Sequence, residues 1–225
     1  MRGKIVVGER AAALVQDRMV LGIGTGSTAE CFIQALGRRV AQERLRVTGV
    51  ASSERSAALA RSLGIAVVGL EDAPTLDLTI DGADEIGPDL TLIKGGGGAL
   101  LREKVVAWAA REVVIIATPE KLVRELGSSF PLPLEVLPFA APLLLARLKE
   151  RSLEAAVRLR DGVPYVTDNG NHVIDCRTGP IKDARSLNNS LRSMPGVLET
   201  GLFIGLASRA LIGAEDGTVT ERMRV

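Results

Sequence analysis

Short apolar runs alternate with longer segments of helical periodicity along the first half of the chain, and this alternation limits the folds open to it. Five runs have the length and aliphatic composition of buried strands: residues 20–23, 46–51, 66–68, 77–80 and 113–117. Four segments have the apolar spacing of helices: residues 4–16, 27–41, 53–63 and 99–110. Strands that alternate with helices predict βαβ units and a largely parallel sheet, so we expect an α/β fold.

The pattern changes near Gly127. Residues 130–138 contain three prolines, which predicts a crossing between domains rather than a helix interior. Beyond them we predict helices at 142–151 and 184–193 and strands at 155–160 and 172–176, a βαββα-type order that suggests a small α+β domain over residues 131–199. The apolar tail segments 202–205 and 207–212 are expected to rejoin the first sheet. The larger domain would then comprise residues 1–130 and 200–225.

Composition excludes several classes of protein. Basic and acidic residues number 28 and 27, so the net charge of +1 gives no general attraction to nucleic acid or to an anionic membrane. The longest apolar runs are too short to span a bilayer, and residues 1–4 lead into a mixed stretch without a signal-peptide core. Cys31 and Cys176 lie far apart with no CxxC spacing, which predicts reduced thiols rather than a disulfide framework or structural zinc site. We expect a cytoplasmic protein.

The segment Gly24-Thr25-Gly26-Ser27-Thr28 joins a predicted strand to a predicted helix. Backbone N–H groups at a helix N-terminus bind anions, and glycine lets a phosphate approach the backbone. Ser27 or Thr28 is placed to cap the helix and to add a hydroxyl donor. The dinucleotide-binding pattern fits only in part, and the Walker A lysine is missing. A tight turn with a helix cap remains the alternative to a site for the phosphate of a small substrate.

Acidic residues and a lysine bracket a run of four glycines. Asp81 and Asp84 follow a predicted strand end, where open α/β sheets bind ligands, and Lys94 precedes Gly95–Gly98. If residues 99–110 form a helix, Glu103 projects from its early turns and can share one pocket with Asp81 and Asp84. Carboxylates that lie close together bind a proton more readily than an isolated one, so one of them can act as a base near neutral pH. Lys94 could stabilise a developing oxyanion.

Plainer interpretations of these residues remain open. Asp81 and Asp84 could belong to a solvated turn, and Glu103 could be a surface acid of its helix. A metal site is a poor fit, because a lysine lies among the acids and the single histidine, His172, is remote. We expect no metal and no organic cofactor, and the sequence assigns no role to His172 or to the two cysteines.

Taken together, these segments resemble the type A ribose-5-phosphate isomerase family. The resemblance spans nearly the whole chain, in order, and its matching motifs are Gly24–Thr28, Thr79–Ile86, Ile93–Leu100, Arg102-Glu103-Lys104, residues 130–136, Val166–Asn171, Pro195–Val197 and Glu199–Phe203. It implies a Rossmann-like α/β/α sandwich with a smaller α+β, ferredoxin-like lid domain, usually in a homodimer or higher assembly.

The resemblance also implies chemistry and roles. The expected reaction interconverts ribose 5-phosphate and ribulose 5-phosphate through an enediolate, in the non-oxidative pentose phosphate pathway. Glu103 would move the proton, Asp81 and Asp84 would bind hydroxyls and help to open the ring, and Lys94 with the glycine amides would stabilise the oxyanion. The substrate-contact residues would be Lys4, Thr25, Gly26, Ser27, Thr28, Asp81, Gly82, Ala83, Asp84, Lys94, Gly95, Gly96, Gly97 and Lys121. The stretch 51–54 departs from the expected pattern, so its serines receive no role.

Two rival functions remain. One is another enzyme of similar fold, such as a CoA transferase or an amino-sugar-phosphate deaminase, although His172 is badly placed for a ring-opening histidine. The other is a non-catalytic sugar-phosphate sensor, usually fused to a DNA-binding segment; no basic helical segment precedes Lys4, and a sensor has no need of Glu103 as a base.

Overall fold

The computed structural model describes residues 1–224 of the chain. Within them the α-helices are α1 (Arg2–Ala12), α2 (Ser27–Glu43), α3 (Glu54–Ser62), α4 (Leu100–Trp108), α5 (Ala141–Glu150) and α6 (Ala184–Arg192). The strands are β1 (Val20–Ile23), β2 (Thr48–Ala51), β3 (Ala66–Val67), β4 (Leu76–Asp81), β5 (Glu85–Ile86), β6 (Leu92–Ile93), β7 (Ala110–Ala117), β8 (Leu132–Val136), β9 (Glu154–Val157), β10 (Leu159–Arg160), β11 (Val163–Pro164), β12 (His172–Arg177), β13 (Val197–Thr200), β14 (Leu202–Phe203), β15 (Arg209–Gly213) and β16 (Val219–Met223). Short 3-10 helices span Pro119–Lys121 and Pro138–Ala140.

The chain divides into two compact units. The first unit contains Met1–Ala83, Arg102–Leu122 and the chain from Gly205 onward, and the second contains Asp84–Leu101 and Val123–Ile204. This division differs from the sequence-based boundaries, because residues 84–101 group with the second unit and the crossing lies near residue 122 instead of 130. No helix among residues 1–224 is both long and apolar enough to cross a membrane.

The first unit is built on a seven-stranded sheet in the order β3-β2-β1-β4-β7-β15-β16. All neighbouring strands pair in parallel except β16, which runs antiparallel to β15. Chain order therefore reverses between β1 and β4, which is where a Rossmann-like sheet opens a crevice at its carboxyl edge. The α/β/α sandwich predicted for this part of the chain is confirmed.

Aliphatic side chains form the core of the first unit, as expected for a chain with only 3% aromatic residues. Leu21 and Ile23 of β1, Ile80 of β4 and Ile116 of β7 are fully or almost fully buried, and Phe32 of α2 joins the same cluster. Each such side chain contributes about 1.5–3 kcal/mol when it leaves water. Burial of these side chains therefore stabilises the strands that carry the candidate site.

The second unit contains an antiparallel sheet in the order β13-β8-β12-β9, with α5 and α6 as its helices. The chain order βαββαβ with this strand order is the ferredoxin-like arrangement, and the β10–β11 hairpin is an insertion into it. Our interpretation of residues 130–138 as a domain crossing was wrong. They supply β8, an interior strand whose five residues are all buried, because the alternating Leu132, Leu134 and Val136 bury apolar surface that outweighs the proline at position 133.

The tail of the chain was predicted correctly only in part. β15 joins the seven-stranded sheet beside β7, as expected. Leu202 and Phe203, however, pair antiparallel with Ile93 and Leu92 in a three-stranded sheet of the second unit, β14-β6-β5. Buried strands of the seven-stranded and the three-stranded sheet have the same side-chain period and the same apolar character. The apolar pattern of residues 202–205 therefore could not show which sheet they join.

Candidate active site

Asp81 is the last residue of β4 and lies beside the loop that follows β1. Its side chain is almost fully buried, and its Oδ1 accepts hydrogen bonds from the Thr25 N–H at 3.0 Å and the Gly82 N–H at 2.7 Å. A Cβ atom at Gly24 would lie only 2.2 Å from that oxygen. The carboxylate is therefore fixed tightly against the backbone at the point where strand order reverses, the usual ligand crevice of such sheets.

The loop after β1 leads directly into α2, whose N-cap is Gly26 with φ 108°. The predicted cap by Ser27 or Thr28 was wrong, because Gly26 takes the N-cap position and has no side chain with which to cap the helix. Ser27 is instead the first helical residue, and its Oγ accepts a hydrogen bond from Lys4 Nζ at 2.9 Å. An uncapped first turn leaves its N–H groups to solvent or to a ligand, and a lysine lies beside it.

Three serines lie behind Thr25. The Thr25 hydroxyl lies 2.8 Å from Ser52 Oγ, 2.8 Å from Ser53 Oγ and 3.3 Å from Ser56 Oγ. Ser56 also donates to the Gly24 carbonyl at 2.8 Å. The three serines are buried at the carboxyl end of β2 and the start of α3. They orient the loop through a hydroxyl network, a role that the sequence did not suggest for them.

Lys4 and Lys121 both lie near the carboxylate of Glu120. A hydrogen bond from the Thr118 hydroxyl holds the pKa of Glu120 below its usual range, and the positive charges of Lys121 and Lys4 lower that pKa further. Lys121 ends the 3-10 helix that follows β7, the neighbour of β4 in the sheet. The carboxyl ends of β1, β4 and β7 thus carry the loop at 24–28, Asp81 and Lys121.

Glu103 lies in the first turn of α4, and its side chain is only 4% exposed. Val106, one turn further on, accepts a hydrogen bond from the Thr79 hydroxyl of β4 at 3.3 Å through its carbonyl. Residues three apart share a helix face, so Glu103 belongs to the buried face of α4. The surface position considered for this glutamate is excluded.

Asp84 belongs to the second unit and contacts the glycine run. Its N–H donates to the Ile93 carbonyl at 2.9 Å, and its Oδ2 accepts from the Gly96 N–H at 2.7 Å. Gly95 and Gly98 have φ values of 115° and 80°, which other residues adopt only with strain. The run is a turn closed by a hydrogen bond from the Gly98 N–H to the Gly95 carbonyl at 2.9 Å.

An arginine that directly follows β9 contacts the same turn. Arg158 Nη1 donates to the carbonyls of Gly95 and Gly96 at 2.7 and 3.1 Å. The carboxylate of Asp175, on β12, accepts hydrogen bonds from the other two donors of the guanidinium, Nε at 2.9 Å and Nη2 at 2.5 Å. Tyr165 adds a hydroxyl hydrogen bond at 3.3 Å to the Gly97 carbonyl.

Lys94 is a buried cation at the end of β6. Its side chain is 3% exposed, its N–H donates to the Gly201 carbonyl at 2.9 Å, and its Nζ lies 5.4 Å from the centre of the Phe203 ring. An ammonium group held over an aromatic face is stabilised by the ring quadrupole. Among residues 1–224, no group of three or more His, Cys, Asp and Glu side chains is arranged to hold a metal ion.

Sequence comparison identifies the family to which this constellation belongs. Residues 48–217 match the family model of ribose 5-phosphate isomerase A, also called phosphoriboisomerase A. The ribose-5-phosphate isomerase A of Bartonella quintana is 51% identical over 217 residues, which cover 93% of this chain and 92% of that protein. This chain belongs to the ribose 5-phosphate isomerase A family.

Solved structures of the family share the fold throughout. Ribose 5-phosphate isomerase A from Methanocaldococcus jannaschii aligns with a TM-score of 0.92 at 40% identity, covering 98% of this chain and 97% of that one. A D-ribose-5-phosphate isomerase in complex with phospho-erythronic acid aligns with a TM-score of 0.94 at 33% identity, with the same coverage of 98% and 97%.

The predicted site residues of this isomerase-family chain fall into two sets. In the first unit, Thr25, Gly82 and Asp81 are in direct contact, and Lys4 contacts Ser27. In the second unit, Asp84 contacts Gly96. A common pocket for Glu103, Asp81 and Asp84 stays a prediction, as do the substrate contacts.

Sequence reasoning missed Arg158, Asp175 and Tyr165 altogether. They lie 60 residues or more from the glycine run in sequence. Arg158 and Asp175 fall in segments predicted only as strands, and no element was predicted at Tyr165. The one signal for them was the alternation of charged and apolar residues along a strand, which places a charge on one face of the sheet. His172 begins β12, as expected of a strand residue, and both cysteines are free thiols.

Proposed function

We propose that this chain isomerises ribose 5-phosphate and ribulose 5-phosphate by proton transfer between C2 and C1 through an enediolate, without a metal or an organic cofactor. The observation that carries the proposal is the near full-length match to proteins named ribose-5-phosphate isomerase A. The buried acid Glu103 supports chemistry rather than binding alone, because a sensor domain has no use for a buried base.

Glu103 is the base that moves the proton. Its buried position on α4 excludes bulk water, which would otherwise exchange with the proton in transit. The same carboxyl group returns the proton to the neighbouring carbon, so one residue serves both directions of the reaction.

Lys94 and a backbone amide of the glycine run stabilise the negative charge that develops on the carbonyl oxygen. A buried ammonium and fixed N–H groups act most strongly where water is excluded, because little reorganisation is needed during the reaction. Asp81, Asp84 and the backbone of Gly82 and Ala83 bind the sugar hydroxyls, and the two carboxylates assist opening of the furanose ring.

The phosphate binds at the start of α2. Free N–H groups of the first helical turn, the hydroxyls of Thr25, Ser27 and Thr28, and the ammonium of Lys4 provide donors for a dianion. Lys121 adds a second positive charge at the same edge of the sheet. Gly26 lets the phosphate approach closely, because the space at its missing Cβ is open: among the described residues, nothing beyond the adjoining backbone lies within 4 Å.

The related complex with phospho-erythronic acid supports an enediolate route. A carboxylate presents two oxygens on one planar carbon, as an enediolate does across its two carbons, so donors placed for the intermediate also bind the acid. We place the protein in the cytoplasmic pentose phosphate pathway as a homodimer or higher homo-oligomer. Its two free thiols suit a reducing compartment.

Glu103→Gln tests the function and the base together. The substitution preserves size and removes proton transfer, so kcat should fall by about 10²–10⁴-fold while KM for ribose 5-phosphate changes little. The assay couples ribulose 5-phosphate formation to a chromogenic readout, with glucosamine 6-phosphate as the control substrate. Glu150→Gln, on the exposed end of α5 beside Arg147, is the matched control. Wild-type turnover in the Glu103 variant would exclude this base, and turnover of glucosamine 6-phosphate alone would favour the deaminase.

A further inference from the structure

We propose that Arg158, braced by Asp175, is a positioning residue that aims the amide of Gly97 at the oxyanion of the reaction. The inference rests on the proposed isomerase function and extends it to residues of the ferredoxin-like sheet. All the contacts that carry it lie within the second unit, among the glycine turn and the β9–β12 region.

The peptide between Gly95 and Gly96 is held at both ends by opposite charges. Arg158 donates to its carbonyl at 2.7 Å, and the Asp84 carboxylate accepts from its N–H at 2.7 Å. A cation on the oxygen and an anion on the N–H both reinforce the dipole of this peptide. The plane of the peptide is thereby fixed, although two glycines flank the bond.

The next peptide, between Gly96 and Gly97, is held at its carbonyl oxygen but not at its N–H group. Arg158 also donates to the Gly96 carbonyl at 3.1 Å. Because all described peptide bonds are trans, the N–H of Gly97 points away from that carbonyl and from the guanidinium. The N–H of Gly97 has no acceptor among residues 1–224, and this glycine is exposed. It is a donor kept available for a ligand.

The third peptide closes the turn. Tyr165 donates to the Gly97 carbonyl at 3.3 Å, which directs the following N–H, that of Gly98, to the Gly95 carbonyl at 2.9 Å. A Cβ atom at Gly98 would lie 2.2 Å from the Tyr165 ring, so the ring packs directly on the turn. Of the amides of Gly96, Gly97 and Gly98, the middle one alone is left for substrate within the described chain.

Asp175 makes the guanidinium a rigid support. It takes the Nε and Nη2 donors in a paired geometry, with the two side chains only 16% and 27% exposed. The Nη1 donor is left for the two carbonyls. A lysine at position 158 has no fork that could hold the carboxylate and two carbonyls together, so charge alone cannot replace this arginine.

Kinetics and inhibitor binding test the inference together. Arg158→Met and Arg158→Lys are assayed with ribose 5-phosphate, and each variant's inhibition constant for phospho-erythronic acid is measured. We expect kcat to fall by about 10–100-fold, because an oxyanion donor is misplaced but not deleted, with KM changed less than about threefold. The inhibition constant should rise in step with the loss of kcat/KM. Arg177→Met removes an exposed arginine of β12 that pairs with the exposed Glu154, and serves as the control.

Glycine-selective ¹⁵N spectra provide a readout that does not depend on turnover. In the wild type, phospho-erythronic acid should shift the Gly97 amide signal, and the shift should be lost in Arg158→Lys. Tyr165→Phe removes a single hydroxyl and should lower kcat by about two- to fivefold. If Arg158→Met does not fold, the kinetics of Tyr165→Phe are used instead to test the support of the glycine turn. Folded Arg158 variants with wild-type kcat, inhibition constant and Gly97 shift would overturn the inference. An inactive wild type whose Gly97 amide responds to phospho-erythronic acid, with the response lost in Arg158→Lys, would contradict the isomerase proposal while supporting the role of Arg158 in directing that amide to a bound ligand.

Discussion

Gly24→Ala is expected to destabilise the first unit strongly, because the missing Cβ is what allows Asp81 to contact the loop after β1. The added atom would lie 2.2 Å from Asp81 Oδ1, 2.3 Å from its Cγ and 2.6 Å from its Cα. The last of these is a backbone atom, so rotation of a side chain cannot relieve the overlap. Overpacking costs about 1–3 kcal/mol, and displacement of Thr25 N–H from the Asp81 carboxylate adds about 1.5–3 kcal/mol.

The expected loss of unfolding free energy is therefore about 2.5–6 kcal/mol, or roughly 5–24 °C in Tm for a chain of this size. Urea unfolding followed by circular dichroism measures it. Gly82→Ala is the matched control, since its Cβ would meet only two carbonyl oxygens at 3.9 Å, and should change stability by less than about 0.5 kcal/mol. Equal stability of the two variants would show that Asp81 does not pack against Gly24 as closely as the structure places it.

Three further outcomes are expected. Lys4→Met should raise KM for ribose 5-phosphate by about tenfold with little change in kcat, since a charge-assisted contact to phosphate binds substrate and transition state alike; steady-state kinetics decides, and a fall in kcat alone would contradict it. Glu85→Ala should cost about 3 kcal/mol or more, because its buried carboxylate accepts bonds from the backbone of Gly127 and Phe130, and limited proteolysis should then cut near residue 128; an uncut, equally stable variant would refute this. Burial raises the pKa of Cys176 to about 11, so at pH 8 its thiolate is scarcer than that of a free thiol and a thiol reagent should modify it only after denaturation; rapid native labelling of Cys176 would count against this.

Much of the first unit could be predicted because its signals are local. A buried run such as Val20–Ile23 followed by glycine, and a helix that follows at once and ends at Glu43, identify a βα unit from a single short stretch of the chain. Parallel sheets bury both faces, so their strands are continuously apolar and stand out from the helices. The position of Leu202–Phe203 could not be predicted in this way, because an apolar strand of two residues fits any sheet that needs an edge.

The residues of the candidate site show the same contrast between positions that could be predicted from the sequence and positions that could not. Asp81 follows a strand end at the point where strand order reverses, so its place near the loop at 24–28 follows from topology alone. The failure of the helix-cap prediction has a local cause: Gly26 takes the N-cap position with φ 108°, and Ser27 begins the helix one residue later. A shift of one residue at a helix start changes which side chain can cap, and sequence patterns rarely resolve it.

Arg158 shows why contacts made by antiparallel sheets are harder to predict. Asp175 lies opposite Ala156 in the β9–β12 ladder, and the Arg158 N–H donates to the carbonyl of Val173. Arg158 and Asp175 are consequently diagonal neighbours on one face of the sheet, within reach for long side chains. A slip of one residue in this register would move the arginine to the opposite face and away from the glycine turn. The pairing depends on a register set by the Ile174–Val157 contact in the core and not on any motif, so a site that uses it is specified by packing as much as by chemistry.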